Sequence, residues 1–179
     1  MNVSPSLAFA IALSCVASAR ADEPVAGTPI QNPLINYAQF QNIVHRSGEP
    51  RELHRMSEQQ FLDALRETGT DTVVLDARSA PMYALRHIKG AVNLPFTDFT
   101  AETLARVIPD KSTKVMIYCN NNFTGSPISF ATKTAAASLN LSTYMSLVAY
   151  GYTNIYELGP LLDVNTTRIP FEGTEVALR

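Results

Sequence analysis

The sequence contains no tryptophan, and only two cysteines among 179 residues. Two cysteines cannot build a disulfide-dense scaffold, so the fold must rest on a hydrophobic core. Charge is also sparse. Asp, Glu, Lys and Arg make up 17% of the chain, the net charge is −2, and no basic block occurs. That argues against a dedicated nucleic-acid binder, which needs clustered Lys and Arg to neutralise phosphates. Long apolar runs are missing too. The stretch Leu7 to Ala19 falls short of the roughly 20 residues a bilayer span requires. What is present is 46% hydrophobic residues at a mean hydropathy of +0.01. Wholesale disorder is therefore excluded, and the length suits one full core but not two ordinary domains.

The Leu7 to Ala19 run leads into Ala19-Arg20-Ala21 and then Asp22-Glu23-Pro24. A short apolar segment followed by an A-x-A site is the pattern of a secretory signal peptide, so residues 1–21 are expected to be removed after Ala21. The protein is thus expected to be exported, periplasmic or secreted, with no membrane span after cleavage. The mature chain keeps one cysteine, Cys119. An unpaired thiol in an oxidising compartment suggests a reactive group or an intermolecular partner, whereas a buried inert cysteine is the plainer alternative.

Residues 22–50 are expected to form an N-terminal arm. Pro24, Pro29 and Pro33 oppose helix there, and Tyr37 to Glu52 shows no clear period, so it reads as irregular with one short strand at most. Residues 51–165 carry the ordered domain, and 166–179 a weakly patterned tail. Ser57 and Gln60 form a capping box ahead of Phe61, Leu62 and Leu65, with Gly69 closing that helix. Val73 to Leu75 and Val115 to Tyr118 read as buried strands. Between them lie a short helix from Ser79 to Arg86, a strand from Ala91 to Pro95, and a helix capped by Thr100 with Leu104, Val107 and Ile108 on one face. After Cys119, a helix is expected from Ser126 to Leu139. A second follows, capped by Ser142 and ended by Gly151, and then a strand from Asn154 to Leu158. Strands alternate with helices, which predicts an α/β fold with three layers, a mostly parallel central sheet flanked by helices on both faces.

In open parallel sheets, ligands bind at the carboxyl ends of strands. Cys119 stands there, directly after Tyr118. The polar loop Cys119-Asn120-Asn121-Asn122-Phe123-Thr124-Gly125 can aim backbone N–H groups at one point, and a following helix N-terminus would add positive potential. Such surroundings stabilise anionic sulfur. The same residues equally describe a buried cysteine at a strand end, with asparagines turning the chain. Phe123 either anchors the loop in the core or shields the sulfur from water.

Four segments in order resemble the rhodanese-like family: Val74-Leu75-Asp76-Ala77-Arg78; His87-Ile88-Lys89-Gly90-Ala91-Val92-Asn93-Leu94-Pro95; Val115-Met116-Ile117-Tyr118-Cys119; and Gly151-Tyr152-Thr153-Asn154-Ile155-Tyr156-Glu157-Leu158. The nine residues from His87 to Pro95 are the most specific. The resemblance implies sulfur transfer. The Cys119 thiolate would take a sulfane sulfur from a small donor such as thiosulfate and pass it to a thiol or cyanide-like acceptor. It further implies a cradle of backbone amides from Asn120, Asn121, Asn122, Phe123, Thr124 and Gly125. It implies no metal and no cofactor, and leaves room for a protein partner.

The sequence departs from the family's pattern. The loop has no Arg or Lys. The 32 positions from Cys119 to Gly151 exceed one helix. Leu158-Gly159-Pro160 replaces the usual paired glycines. A phosphatase loop would need Arg at the sixth position after the cysteine, where Gly125 stands. Arg78 is expected either to pair with Asp76 at a strand corner or to reach the active loop as a substrate contact. His87 is expected to bond backbone, and His45 and His54 lack the spacing of a zinc site. The expectation is therefore an exported sulfurtransferase or persulfide carrier. The alternative is a catalytically silent module of the same fold that binds an anion or a partner protein.

Overall fold

The computed structural model describes residues 32–67 and 71–177. The expected signal segment 1–21, the first part of the arm and Gly69 lie outside the described residues. Six helices are present among them: α1 (Tyr37–Leu53), α2 (Glu58–Arg66), α3 (Ala80–Leu85), α4 (Ala101–Val107), α5 (Leu139–Ala149) and α6 (Thr174–Ala177). The strands are β1 (Arg55–Met56), β2 (Thr72–Asp76), β3 (His87–Ile88), β4 (Val92–Asn93), β5 (Lys114–Tyr118), β6 (Phe123–Thr124), β7 (Ile155–Leu158), β8 (Leu162–Asp163) and β9 (Phe171–Glu172). Five of them form one parallel sheet in the order β1-β7-β5-β2-β4.

The sheet's period of two sorts its side chains into two cores. Val74, Met116, Tyr118 and Leu158 face one side, where Phe61 and Leu62 of α2 meet them. Leu75, Val115, Ile117 and Ile155 face the other, against Leu104 of α4 and Tyr144 and Leu147 of α5. Continuous apolar runs in β2 and β5 fit strands covered on both faces. The three-layer α/β expectation is met. Local signals behave as expected where they are strong. Ser57 and Gln60 form the capping box of α2, and Thr100 caps α4.

Three stretches differ from the expectation. First, Tyr37 to Glu52 is not irregular but helical. Asn36 caps α1 by accepting from the Gln39 N–H at 2.9 Å. The helix buries only Ile43 and Ser47 and carries Pro50 in its last turn, so its hydrophobic stripe is too thin to show as a period. The packed unit begins at Asn36, ahead of the boundary expected at 51.

Second, the helix expected from Ser126 to Leu139 is absent. A turn at Pro127 to Phe130 and a stretch without regular structure at 131–134 lead to a 3₁₀ turn at Ala135–Ala137. Helix α5 then begins at Leu139, with Ser138 rather than Ser142 at its cap. Alanine propensity is overridden because tertiary contacts claim the segment. Phe130 is 2% exposed in the core, and the Ser126 and Ser129 hydroxyls donate to Glu175 at 2.7 and 3.0 Å.

Third, residues 166–177, expected only as a weakly patterned tail, carry defined structure and contacts. Strand β9 pairs antiparallel with β3, and Ile169 is buried. Glu58 on α2 accepts from the Thr167 hydroxyl at 2.6 Å and from the Arg168 N–H at 2.8 Å. These bonds hold its carboxyl below the usual Glu range, with the Thr167 hydroxyl the larger cause. Gly173 has φ +121°, and a Cβ there would lie 2.4 Å from the Leu85 carbonyl oxygen.

Two outcomes test this docking. Gly173→Ala should cost about 1–3 kcal/mol of stability in urea unfolding, and a loss within error of zero would mean that the segment detaches. Because the folded Glu58 pKa lies below its unfolded value, its contribution is full above the unfolded pKa and fades as pH falls through the folded one. Glu58→Gln should therefore be less stable than the parent at pH 7, with the gap closing below about pH 4. A gap independent of pH would show that the charge plays no part.

Candidate functional site

The carboxyl end of β2 is built around a buried ion pair. Arg78 donates through Nε and Nη2 to the Asp76 carboxylate, and both side chains are about fully buried, at 1% and 0% exposure. The remaining Arg78 donors go to backbone, Nη1 to the Ser129 carbonyl at 2.7 Å and Nη2 to the Arg86 carbonyl at 2.8 Å. Burial works against the charged guanidinium, but the Asp76 bonds and charge outweigh it, so the Arg78 pKa lies above its ordinary value. Tyr118, the last residue of β5, donates to Asp76 Oδ2 at 2.6 Å and accepts from the Ile88 N–H at 3.1 Å. Burial, followed by the Asp76 charge, drives its pKa well above 10. The phenol therefore stays protonated and remains a donor. Asn93 completes the corner, donating to the Asp76 and Arg78 carbonyls at 2.9 Å each. His87 bonds backbone, with Nδ1 2.8 Å from the Tyr83 carbonyl.

Cys119 follows Tyr118 and is 1% exposed. It is the free cysteine among the described residues. Its sulfur has two polar neighbours, the Asn121 N–H at 3.4 Å and the Ser138 hydroxyl at 3.4 Å. Ser138 stands at the α5 cap position but makes no capping bond with its side chain. The helix N-terminus beside the sulfur is thus that of α5, not one starting at Ser126. The sulfur meets one backbone N–H and one hydroxyl beside the start of α5.

The six loop residues separate into two groups. Asn120 lines a groove, Asn121 faces the sulfur, and Asn122 is buried with its Oδ1 accepting from the Cys119 N–H at 2.9 Å. Phe123, Thr124 and Gly125 lead away. The Phe123 ring packs on Phe130 and Phe171, which decides for core anchor over sulfur shield. Thr124 pairs with Asp163 in the β6–β8 ladder. Gly125, at φ +81°, lies so close to Asp163 and Asn165 that a Cβ would collide with both. The amide cradle expected from Asn120 to Gly125 is therefore narrower here, with one amide from the loop and one hydroxyl from Ser138. Arg78 serves the corner, although it also lines the groove floor.

Residues 126–138 lie across this site and are held at defined points. Asn121 forms a reciprocal pair with the Lys133 backbone, donating to its carbonyl and accepting from its N–H, both at 2.9 Å. Two grooves border the loop that follows Cys119. One, of about 330 Å³, includes Ala77, Met82, Phe96, Asn120 and Lys133. The other, of about 280 Å³, includes Arg51, Arg55, Asn121, Ser138 and Glu157. Cationic side chains therefore line these grooves from other elements, with Arg51 paired to Glu157 and Arg55 to Glu52. No local motif could have revealed Arg51, Lys133 or Ser138, since each arrives from a different element.

The parallel sheet, with a cysteine at the end of its central strand, defines a rhodanese-type domain. Residues 57–158 match the Rhodanese-like domain family, and the chain belongs to it. It is 26% identical over 95 residues to thiosulfate sulfurtransferase PspE of Escherichia coli (strain K12), covering 53% of this chain and 76% of that protein. Among solved structures it is similar to the BH2092 protein from Bacillus halodurans (17% identity, TM-score 0.49, 75% of this chain and 88% of that one). A rhodanese with anions from E. coli is also similar (23% identity, TM-score 0.39, 57% of this chain and 99% of that one).

The covering segment makes a prediction. Asn121→Ala removes both bonds to Lys133 and should raise the rate of Cys119 alkylation by iodoacetamide about tenfold. An unchanged rate would show that the Asn121–Lys133 pair does not control access.

Proposed function

We propose that the protein is an exported sulfurtransferase or persulfide carrier with Cys119 as the sulfur acceptor. The observation that carries this is the Cys119 thiol at the carboxyl end of β5, facing the Asn121 N–H and the Ser138 hydroxyl, in a chain of the rhodanese-like family. The thiolate is the nucleophile in such chemistry. With thiosulfate, Cys119–S⁻ attacks the outer sulfur. The new S–S bond forms as the old one breaks, and sulfite leaves with the electron pair. Cys119 then carries a persulfide anion. A thiolate or cyanide attacks its terminal sulfur, and Cys119–S⁻ leaves unchanged. Fixed donors at the reacting sulfur lower the cost of charge at both steps. The likeness to PspE supports thiosulfate as the donor class, and the A-x-A site at Ala19 to Ala21 supports export.

The 1% exposure of Cys119 favours a second reading, a closed module that binds without turnover. One measurement separates the two. Intact mass is recorded on chain recovered from its producing cells, before and after thiosulfate, beside Cys119→Ser. The transferase reading expects the gain of one sulfur atom, absent in the variant and lost on adding cyanide. No gain with thiosulfate, polysulfide or an organic persulfide would overturn it in favour of the closed module. The same spectrum reports the N-terminus: export predicts Asp22, and a chain still starting at Met1 would exclude signal cleavage.

A further inference from the structure

Glu157 is a buried carboxylate in β7 at 5% exposure, pointing to the sheet face that carries α5. Its partners form a continuous chain to the reactive loop. Arg51, from the last turn of α1, donates Nη2 to Glu157 Oε1 at 2.8 Å and lies 2.6 Å from Oε2. Asn140, in the first turn of α5, donates Nδ2 to Glu157 Oε1 at 3.2 Å and to Asn122 Oδ1 at 3.0 Å. Asn122 Oδ1 also accepts from the Cys119 N–H at 2.9 Å, while its Nδ2 donates to the Leu158 carbonyl at 2.6 Å. Asn122 and Asn140 are 5% and 2% exposed.

Every link in this chain has a direction. Glu157 Oε1 can only accept from the Asn140 Nδ2 group, which fixes the orientation of the Asn140 amide. The fixed amide donates to Asn122, so Asn122 turns its oxygen towards the Cys119 N–H. With the Cys119 amide held there, the next N–H but one, that of Asn121, is the loop amide that meets the sulfur. Arg51 makes the arrangement affordable in electrostatic terms, because a buried carboxylate without its cation is strongly destabilising. Arg51 lies outside the family match at 57–158.

We propose that Arg51 and Glu157 act as positioning residues for the Cys119 loop, working through Asn140 and Asn122, so that α1 belongs to the functional unit. The inference deepens the sulfur-transfer reading and rests on it for its catalytic meaning. The structural effect is nevertheless measured without turnover. Arg51→Gln leaves Glu157 uncompensated. Arg51→Gln with Glu157→Gln removes both charges and keeps an acceptor for Asn140. Asn140→Leu cuts the chain without altering charge.

The test is amide hydrogen exchange by NMR on the folded chain, comparing the Cys119 amide with those of Val115 to Ile117 in β5. Arg51→Gln and Asn140→Leu should each speed exchange at Cys119 about tenfold, with the β5 amides within about twofold. The double glutamine variant should return Cys119 to within about threefold of the parent. In the sulfur-transfer assay, the single variants should lower kcat with KM nearly unchanged. Exchange at Cys119 that stays unchanged, that rises in step with β5, or that is not restored in the double variant would overturn the proposal. A wild-type chain that forms no persulfide while its loop responds as expected would instead sink the transfer reading and leave this one standing.

Discussion

The buried Asp76–Arg78 pair is the constraint on which the other parts of the site depend. Two charges at about zero exposure are tolerated because each guanidinium nitrogen of Arg78 and each carboxylate oxygen of Asp76 has a hydrogen-bond partner. Asp76 takes Arg78 and the Tyr118 hydroxyl, and Arg78 adds the carbonyls of Ser129 and Arg86. One pair thus joins the end of β2, the end of β5, the segment leading out of α3, and the chain covering Cys119. Replacing either partner would strand the other charge in the core, a penalty of about 3–5 kcal/mol in comparable buried pairs. The corner also explains why Tyr118 is a tyrosine: its phenol couples the strand bearing the cysteine to the charge pair while its ring packs edge-on against Phe123.

The asparagines of the loop divide the labour beyond that corner. Asn122 is consumed by structure, satisfying the Cys119 N–H and the carbonyl that ends β7. Asn121 works outward, giving its N–H to the sulfur and its side chain to Lys133. A short polar side chain suits both tasks, since an amide carries a donor and an acceptor together. The covering segment is fastened at its base by Ser126 and Ser129 on Glu175 and, nearer its middle, by Phe130 in the core. Closer to the sulfur it is held by the Lys133 backbone bonds and the Ser138 contact. Side chains of the C-terminal segment therefore help to place the chain that runs past Cys119.

Legibility in the sequence followed how local each signal was. The capping box at Ser57, the Thr100 cap and the apolar runs of β2 and β5 could be read directly, because their cause lies within a few residues. Helix α1 could not, since its stability comes from Asn36 and from packing on α5 and β7 rather than from a broad apolar stripe. The false helix at Ser126 to Leu139 has the converse explanation. Its alanines favour helix, but Phe130, Ser129 and Lys133 each satisfy a distant partner that a helix would pull them away from.

The sequence by itself determined the alternation of buried strands and capped helices, the family, and Cys119 as the thiol at a strand end. All of these rest on short-range pattern and spacing. Only the tertiary structure decided what surrounds that thiol. Ser138, Lys133 and Arg51 reach the site from 14 to 68 positions away, brought there by sheet order and by buried polar groups that each require a partner. That requirement acts across the fold, between residues whose spacing along the chain carries no trace of it.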